Sequence, residues 1–580
     1  MVYLAALAPA VMMALAQPVW SRIDEAQHTD FIVQLAQGVY PAADATIVSS
    51  DVLGVMRSTG FYTGAPLGTY PTPDLAHLGP PPSGMSPEAN AVWMARHLWQ
   101  LSFEAAQTPA YYVLMVPVWW VSDPAFGPMG AIYVLRLINA VLVASIAPMA
   151  VFVARMLAPA RPQVAAGAAV FAVVLPGLDL NLTRISNDTL AAVLGSAIVL
   201  LAVRWRAAWT WKRGLALGLL LGLGLMTKIT VVGLAPAVAL SGLWPSGPAT
   251  RVQRLAMVAA AGTLAVVCLG PWLGINAHIY GALLPGARAA RLSDAVPSGL
   301  SAAFVPFDVG VFLLTYWSGE PFGLLPGSLA FAILGALFAL MSVAGLIRLV
   351  RLRPFPFDGG RAAVAATAVG GMVALTLLLP AAGGFEFAGP GRYAYEALPA
   401  TAALLALGAE TVLRRRMVRA TLAVYGLAAS AIIVAGAAAP PVANPGPGRP
   451  PAAVQQTPVD VQAGTGDVTF TADRIALDPG ARAIWIELAV SNAGATPVEW
   501  SATPAAQVGG TQARAVYEKS TRVPGWIGPG AEVSGWFFIP IDPAALRGAS
   551  QLRLHIDDVA TNNYSSMTDL TLDVPVAGLA

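Results

Sequence analysis

The 580-residue chain has few charged side chains and only one cysteine. Charged residues make up 11% of the sequence, whereas a soluble domain carries about 25%. The apolar share of 56% and the mean hydropathy of +0.65 therefore indicate an integral membrane protein. Because Cys268 stands alone, an intrachain disulfide framework is excluded. The net charge of +2 gives no argument for a nucleic-acid partner.

Motifs that hold nucleotides, metals or activated nucleophiles are also missing. The sequence contains no Gly-rich nucleotide loop and no CxxC, HExxH or GxSxG pattern. These absences argue against a cytoplasmic nucleotide fold that would handle an activated donor.

Long apolar runs predict a membrane domain of about eleven transmembrane helices, since a span needs about 20 apolar residues. The candidate segments are 3–20, 131–154, 163–182, 189–205, 213–227, 229–246, 255–275, 327–347, 362–381, 395–413 and 420–440. If all cross, the arginine and lysine clusters fall on one side, which places the N-terminus in the cytoplasm and the C-terminus outside. The loops 21–130, 277–326 and 382–394 then lie outside. Since Met1-Val2-Tyr3 opens into apolar sequence without a basic segment, we expect a retained signal anchor.

The stretch 109–122 (PAYYVLMVPVWWVS) would change this topology if it crossed the membrane. It is short, contains Pro117 and carries two tryptophans suited to an interface. We predict a re-entrant or interfacial helix here.

The composition changes beyond residue 440. Residues 441–459 predict a Pro/Ala/Gly linker. From 460 to 580, short alternating runs separated by Asn-Ala-Gly and Pro-Gly turns predict a small antiparallel β-sandwich. The expected organisation is a multi-span α-helical domain over 1–440, the linker, and an extracytoplasmic sandwich over 460–580.

Two adjacent carboxylates, Asp24 and Glu25, follow the first apolar segment, with His28 close behind. In a helix, Asp24 and His28 would share one face. A carboxylate that faces a partly dry cleft can act as a general base toward a hydroxyl or bind a cation. The alternative is a solvated loop whose acidic residues favour a helix start.

Two polar clusters fall on the same predicted face. Glu104, Gln107 and Tyr111 end the long outer loop, where an amphipathic interfacial stretch is the favoured alternative. Asn187 and Asp188, in the run Arg-Ile-Ser-Asn-Asp-Thr, begin a span, and helix capping is the alternative there.

Basic and aromatic residues complete the set. Lys228 lies between the two short apolar segments 213–227 and 229–246. An ionisable residue at membrane depth suggests a functional role. The alternative is that its side chain extends to the membrane interface by snorkelling. Asn276 and His278 precede a long loop, and Arg392 with Tyr393 stands at the outer end of a span. An arginine fork suits phosphate, although a lone interfacial arginine is often an anchor.

Five motifs in order resemble the polyprenyl-phosphate-dependent glycosyltransferases of the C superfamily (GT-C). The nearest likeness is to the protein-mannosyltransferase-like and aminoarabinose-transferase-like branches. The motifs are DEAQH, EAAQTPAYY, RISNDTLA, GLMTKIT and GRYAYEALP, and they cover roughly residues 1–440. The chain departs from the pattern in having one proline after Gln107, and Glu396 where an apolar residue or proline is common.

The resemblance implies an inverting transfer of a sugar from a polyprenyl-phosphate donor to an acceptor hydroxyl at the outer face. Asp24 would be the base, with Glu25 and His28 orienting the acceptor or binding a divalent cation; no cofactor is certain. Lys228 and Arg392 would neutralise the leaving phosphate. The sugar pocket would be lined by Asn187, Asp188, Asn276 and His278, and Glu104, Gln107, Tyr111 and Tyr393 are further candidates for substrate binding. The acceptor would be a glycan, lipid or protein of the cell envelope of a bacterium, with the enzyme in its inner membrane.

Two alternative functions from other classes of protein are also consistent with the sequence. A transporter or flippase for lipid-linked sugars would place ionisable residues near the bilayer midplane on broken helices. A silent scaffold would use its sandwich to bind an envelope polymer, with Trp500, Trp526 and Trp536 stacking on sugars, although such tryptophans are more often core.

Overall fold

The computed structural model describes residues 1–17, 19–20, 24–43, 45–59, 82, 84–97, 100–244, 249–284, 305–319, 328–351, 358–378, 391–413, 415–438, 448–516, 519–521 and 523–578. The chain divides into two compact units. The first comprises Met1–Asp44, Ser49–Val55 and Ser102–Ala439, and the second comprises Ala45–Val48, Met56–Leu101 and Pro440–Ala580.

The described helices, numbered in chain order, are α1 (Val2–Ala16), α2 (Glu25–Ala36), α3 (Ser50–Thr59), α4 (Pro87–His97), α5 (Ala110–Ala144), α6 (Ile146–Leu157), α7 (Pro162–Val173), α8 (Pro176–Leu182), α9 (Asn187–Trp205), α10 (Trp211–Thr227), α11 (Ala235–Leu243), α12 (Arg251–Tyr280), α13 (Val305–Ser318), α14 (Ser328–Arg351), α15 (Gly359–Leu378), α16 (Leu398–Val412) and α17 (Arg415–Ala438). Short 3₁₀ segments are Phe103–Ala106, Arg206–Ala208, Ile229–Leu234, Gly391–Ala397 and Pro543–Leu546.

The first unit is a multi-pass helical membrane domain. Among the described residues, five helical stretches are long and apolar enough to span a bilayer: Ala110–Leu157, Asn187–Ala208, Arg251–Tyr280, Leu329–Arg351 and Gly359–Leu378. The pair α7 and α8, bent by 44°, makes a sixth if it forms one span. Shorter apolar helices cover Val2–Ala16, Ile229–Leu243, Val309–Ser318 and Ala420–Val434.

Fewer segments meet this length criterion than the eleven crossings predicted. Two of the predicted segments show why. The segment 163–182 breaks between α7 and α8, and 229–246 begins as a 3₁₀ turn before α11. Helix α8, the second part of the broken segment 163–182, begins at Pro176, because proline is favoured in the first turn of a helix.

The stretch 109–122 lies in the first part of α5, which is helical from Ala110. This part ends at Gly127, which leaves helical geometry with φ 70° and kinks the axis. Pro124 and Pro128 flank that kink and remove helical hydrogen bonds there.

Helix α16 lies at the centre of the helical unit. Nearly every residue from Leu398 to Ala409 is buried, as expected for a helix that is apolar on all sides. Small residues allow close packing: a Cβ added to Gly408 would lie 2.0 Å from the carbonyl oxygen of Ser342 on α14. Without hydrophobic driving force between helices in lipid, such close backbone approach supplies the packing energy.

The second unit contains the antiparallel β-sandwich expected from the sequence. Its strands are β1 (Gln456–Thr465), β2 (Val468–Asp478), β3 (Ala483–Asn492), β4 (Val498–Glu499), β5 (Ala505–Val508), β6 (Thr511–Arg514), β7 (Trp526–Ile527), β8 (Glu532–Ile539), β9 (Gln551–Thr561) and β10 (Ser566–Pro575). One sheet has the order β1-β2-β3-β8; the other has β6-β5-β9-β4-β7, with β10 paired to β9. Inward side chains of both sheets, among them Phe470, Ile486, Phe537 and Leu554, form one core.

The tryptophans proposed as sugar platforms are mostly interior. Trp500 is fully buried and packs edge-on against Phe470 and Phe537. Trp536 is also buried, while Trp526 is half-buried. The geometry therefore favours a core role for Trp500 and Trp536.

Part of the long outer loop belongs to the second unit. The Nη2 of Arg96 on α4 donates to the carbonyl oxygen of Asp558 at 2.7 Å, and His97 Nε2 lies 2.5 Å from Glu499 Oε2. Tyr564 donates its hydroxyl to the same Glu499 oxygen at 2.7 Å. The first strand also begins at Gln456, four residues before the predicted start at 460.

Candidate active site

Glu25 is the first residue of α2 and forms a buried ion pair with Arg136. Arg136 on α5 donates Nε and Nη2 to its two carboxylate oxygens at 2.8 and 2.6 Å. The backbone N–H of Ile185 donates to Oε1 at 3.0 Å. Both charged side chains are 0% exposed. The geometry gives this carboxylate a positioning role: it fixes the turn between α8 and α9.

Asp24 stands directly beside Glu25 but has a different environment. It adopts left-handed backbone geometry with φ 54°, and its side chain is half-buried. A non-glycine residue in this conformation is uncommon, although Asp tolerates it better than most residues. Within the described part of the chain, no side chain hydrogen-bonds its carboxylate. Of the two predicted catalytic acids, Asp24 is the one available to a ligand.

His28 and Glu104 form a polar pair next to Asp24. His28 Nδ1 lies 2.8 Å from the Tyr112 hydroxyl and 3.5 Å from Glu104 Oε2. Burial lowers the pKa of His28 well below its usual range. Burial, reinforced by the charge of Asp24, raises the pKa of Glu104 to about 8. Both groups are therefore neutral at pH 7, and their contact is not an ion pair.

A cluster of cations surrounds Asp188 at the start of α9. Lys228, the residue after α10, forms an ion pair with Oδ1, and Arg392 Nε lies 3.2 Å from Oδ2. Tyr393 faces both cations, with its ring centre 4.2 Å from Lys228 Nζ and 5.3 Å from Arg392 Cζ. Asp188, Lys228 and Tyr393 are buried. The structure thus brings these four predicted residues together.

Arg184 joins this cluster, although the sequence pattern gave it no role. It is 4% exposed, and its Nε has no hydrogen-bond partner among the described residues. Burial and the nearby charge of Arg392 lower the pKa of its guanidinium, whereas the charges of Asp188 and Asp24 oppose this shift. We call Arg184, Asp188, Lys228 and Arg392 the charged cluster.

The backbone that presents the charged cluster is held by buried amide and hydroxyl groups. Asn139 Nδ2 donates to the Arg184 carbonyl oxygen at 2.6 Å and to the Tyr111 hydroxyl at 3.0 Å. Ser186 caps α9 by accepting from the Asp188 N–H at 3.2 Å, so the capping residue is the serine and not Asn187 or Asp188. Tyr111, which hydrogen-bonds to Asn139, is fully buried.

Asn187 links two other segments. Its Nδ2 donates to the Thr227 carbonyl oxygen at 3.1 Å and lies 3.5 Å from Gln107 Oε1. Thr227 directly precedes Lys228, so this bond fixes the chain that carries the lysine. Asn187 and Gln107 act in the structure as supports of the charged cluster.

Asn276 and His278 lie at the end of α12, and no described contact joins them to the charged cluster. Asn276 is buried and donates to the Leu283 carbonyl oxygen at 3.1 Å, while His278 is exposed. The geometry therefore gives no support to their predicted place in a sugar pocket.

Glu396 is a buried acid near the charged cluster to which the sequence assigned no role. Its Oε1 accepts from Thr230 Oγ1 at 3.2 Å, and its Oε2 has no hydrogen-bond partner in the part of the chain that the structure describes. The sequence did give one sign that Glu396 is unusual, because it stands where the family pattern commonly has an apolar residue or proline. Over the described residues, no group of three or more His, Cys, Asp or Glu side chains could hold a metal ion.

Comparison with known proteins gives structural matches only; no family model and no curated protein matches the chain. An oligosaccharyltransferase from Archaeoglobus fulgidus in the apo form is 14% identical, with a TM-score of 0.38, over 75% of this chain and 55% of that one. The same enzyme tethered to an acceptor peptide gives 16% identity and a TM-score of 0.32, over 57% and 47%. ArnT from Cupriavidus metallidurans, bound to undecaprenyl phosphate, gives 16% and 0.25, over 66% and 77%.

The chain spans about half the length of the archaeal structures that it matches.

Proposed function

We propose that this protein is a membrane glycosyltransferase that moves a sugar from a polyprenyl-phosphate donor to a hydroxyl of a cell-envelope acceptor. The reaction would take place at the outer face of a bacterial inner membrane and invert the anomeric centre. The observation that carries the proposal is the arrangement of Asp24, whose carboxylate accepts no side-chain hydrogen bond from the described residues, within electrostatic range of a buried cluster with excess positive charge. This pairing supplies a base for the acceptor and a site for the leaving phosphate.

Asp24 acts as the general base. Its carboxylate takes the proton of the acceptor hydroxyl while that oxygen attacks the anomeric carbon from the face opposite the phosphate. Attack from the opposite face leads to inversion. His28, Glu104 and Tyr112, which are hydrogen-bonding groups close to Asp24, orient the acceptor without adding charge.

Lys228 and Arg392 bind the leaving phosphate. When the bond between the anomeric carbon and the phosphate oxygen breaks, negative charge grows on that phosphate. Prearranged cations in a buried site stabilise this charge in the transition state more strongly than they would in water. Tyr393 holds both cations over its ring and limits their motion.

The test is transfer by the purified full chain in liposomes. A panel of polyprenyl-phosphate hexoses and pentoses serves as donors, cell-envelope extract as the source of acceptors, and formation of free polyprenyl phosphate as the readout. We expect product only when donor and extract are both present, and a fall of at least about a hundredfold for Asp24→Asn. Arg161→Gln, which removes a remote ion pair with Glu410, is the matched control and should retain activity.

Retention of full activity by Asp24→Asn would refute the assignment of the base. Movement of an intact lipid-linked sugar across the liposome membrane, without acceptor-dependent product, would instead favour a flippase.

A further inference from the structure

Asp30 on α2 carries a fully buried carboxyl group that the proposed reaction does not use. The residue is 0% exposed, and its Oδ1 accepts a hydrogen bond from the backbone N–H of Ser49 at 2.7 Å. Burial raises the pKa of this carboxyl, while hydrogen bonds from the Ser102 side chain and from Ser49 oppose the rise. One side chain thus holds two separate segments of the outer loop, one at Ser49 and the other at Ser102.

The second of these segments leads directly to Glu104. Ser102 immediately precedes the 3₁₀ segment Phe103–Ala106, whose first turn closes on the Ser102 carbonyl oxygen. Glu104 then contacts His28 on α2, with 3.5 Å between Oε2 and Nδ1. The turn is therefore attached to α2 at two places, through Ser102 to Asp30 and through Glu104 to His28.

The two attachments lie on different faces of one helix. Residues four apart share a face of a helix, whereas His28 and Asp30, two apart, are separated by about 200° around the axis. Asp30 therefore does not share the face on which His28 meets Glu104. Its effect on the site acts through the turn that it holds.

We infer that Asp30 is a positioning residue for the proposed reaction, which fixes the turn of Glu104 against α2 so that Glu104 stays in the buried site beside the base Asp24. Its effect on transfer rests on the proposed function, whereas the attachment itself is a property of the fold. Misplacement of groups in a reacting site by about 1 Å can cost about a hundredfold in rate. A buried attachment on the far face of α2 prevents such a shift.

The ionisation of Glu104 reports where its carboxyl lies. Burial raises its pKa to about 8; the charges of Asp24 and Asp188 add to this rise, and those of Lys228 and Arg392 oppose it. His28 and the Tyr112 hydroxyl, which also face this carboxyl, are neutral. We expect transfer by the wild type to fall as pH rises through about 8, because a second carboxylate then forms beside Asp24. If the turn is released, Glu104 gains water, its pKa falls toward the ordinary value, and this alkaline limb moves to lower pH.

The test compares Asp30→Ala with Asp30→Asn in the purified full chain, by hydrogen exchange and by transfer from the most active polyprenyl-phosphate sugar of the donor panel. Asparagine keeps an oxygen that accepts from the Ser49 N–H, so Asp30→Asn should resemble the wild type in both measurements. Asp30→Ala should lower the protection factors of amides 103–107 at least about tenfold. It should also lower kcat about tenfold to a hundredfold and shift the alkaline limb to lower pH, with the KM for the donor changed by less than about twofold.

Controls separate positioning from a general loss of stability. Arg161→Gln should match the wild type in every measurement, and Glu104→Gln should abolish the alkaline limb with or without Asp30→Ala. If Asp30→Ala does not fold, Ser102→Ala, which removes one hydroxyl at this carboxyl, should give the same changes at smaller size.

Unchanged protection of 103–107 together with an unchanged alkaline limb, in folded Asp30→Ala or Ser102→Ala, would overturn the inference. If the wild type transfers no sugar from any donor of the panel, the proposed function is wrong. The exchange measurement then still decides whether Asp30 holds the turn.

Discussion

Replacement of Glu25 by alanine would leave the guanidinium of Arg136 buried without its counter-ion. From the described residues, the carboxylate of Glu25 accepts two hydrogen bonds from Arg136 and one from the N–H of Ile185, and both ionised side chains are 0% exposed. Breaking a buried pair by removing one partner costs about 3–5 kcal/mol. Since total stabilities are about 5–15 kcal/mol, the loss would be a large fraction of the whole.

The assay compares Glu25→Ala with Asp24→Asn, the adjacent carboxylate, in the purified full chain. We expect thermal unfolding of Glu25→Ala to shift down strongly, while Asp24→Asn keeps the wild-type midpoint and loses transfer. The double change Glu25→Gln with Arg136→Met should recover much of the stability, because no buried charge remains unpaired. Equal midpoints for the two single variants, with equal loss of transfer, would refute the division of roles between Asp24 and Glu25.

Three further predictions concern pH and packing. Burial raises the pKa of Glu104 to about 8 in the folded protein, well above the ordinary value of a glutamate. Its stabilising effect is therefore complete below the ordinary glutamate pKa and is lost as pH rises through about 8, so Glu104→Gln should flatten the pH dependence of the unfolding midpoint over this window. Glu499 has its pKa lowered despite burial by the hydrogen bond from His97, so its contribution is present above the unfolded pKa and lost as pH falls through the lower folded value. The hydrogen-exchange protection factors of α4 amides, which correct for the intrinsic pH dependence of exchange, should therefore fall on acidification in the wild type and respond much less in Glu499→Gln. Gly408→Ala should cost about 1–3 kcal/mol by overpacking, whereas Gly262→Ala, where no described atom lies within 4 Å of an added Cβ, should not lower the unfolding midpoint.

Each of these predictions has a clear contrary result. A pH profile of Glu104→Gln parallel to that of the wild type would remove Glu104 as the titrating group. Protection factors of α4 amides that do not change with pH in the wild type would show that the pair of His97 and Glu499 does not hold this helix. Equal unfolding of the two glycine variants would contradict close packing between α14 and α16.

Much of the architecture could be predicted from the sequence because its signals are local. The low charge and the apolar runs indicated a multi-span helical domain, and alternating runs after residue 460 indicated the sandwich. The helix breaks were harder to predict, since a proline such as Pro176 restarts a helix while Pro117 and Pro271 lie inside one. Tertiary packing and neighbouring groups decide between these outcomes.

The active site was predictable in its residue types and less so in its pairings. Asp188, Lys228 and Arg392 come together as the motifs suggested, although they are separated by up to 204 residues. The partner of Glu25 lies 111 residues away. A lone arginine in the apolar run of α5 was the signal for it, because an ionisable residue at membrane depth demands a partner. The sequence alone could not show whether Arg136 pairs with Asp24 or with Glu25.

A cryo-EM structure of the full chain with a polyprenyl phosphate would show directly whether the charged cluster binds the leaving group. We expect density for the phosphate within hydrogen-bonding distance of Lys228 and Arg392, with Asp24 open to the space where an acceptor would sit. Phosphate density away from the charged cluster, with Asp188 still satisfying both cations and no ligand beside them, would contradict it.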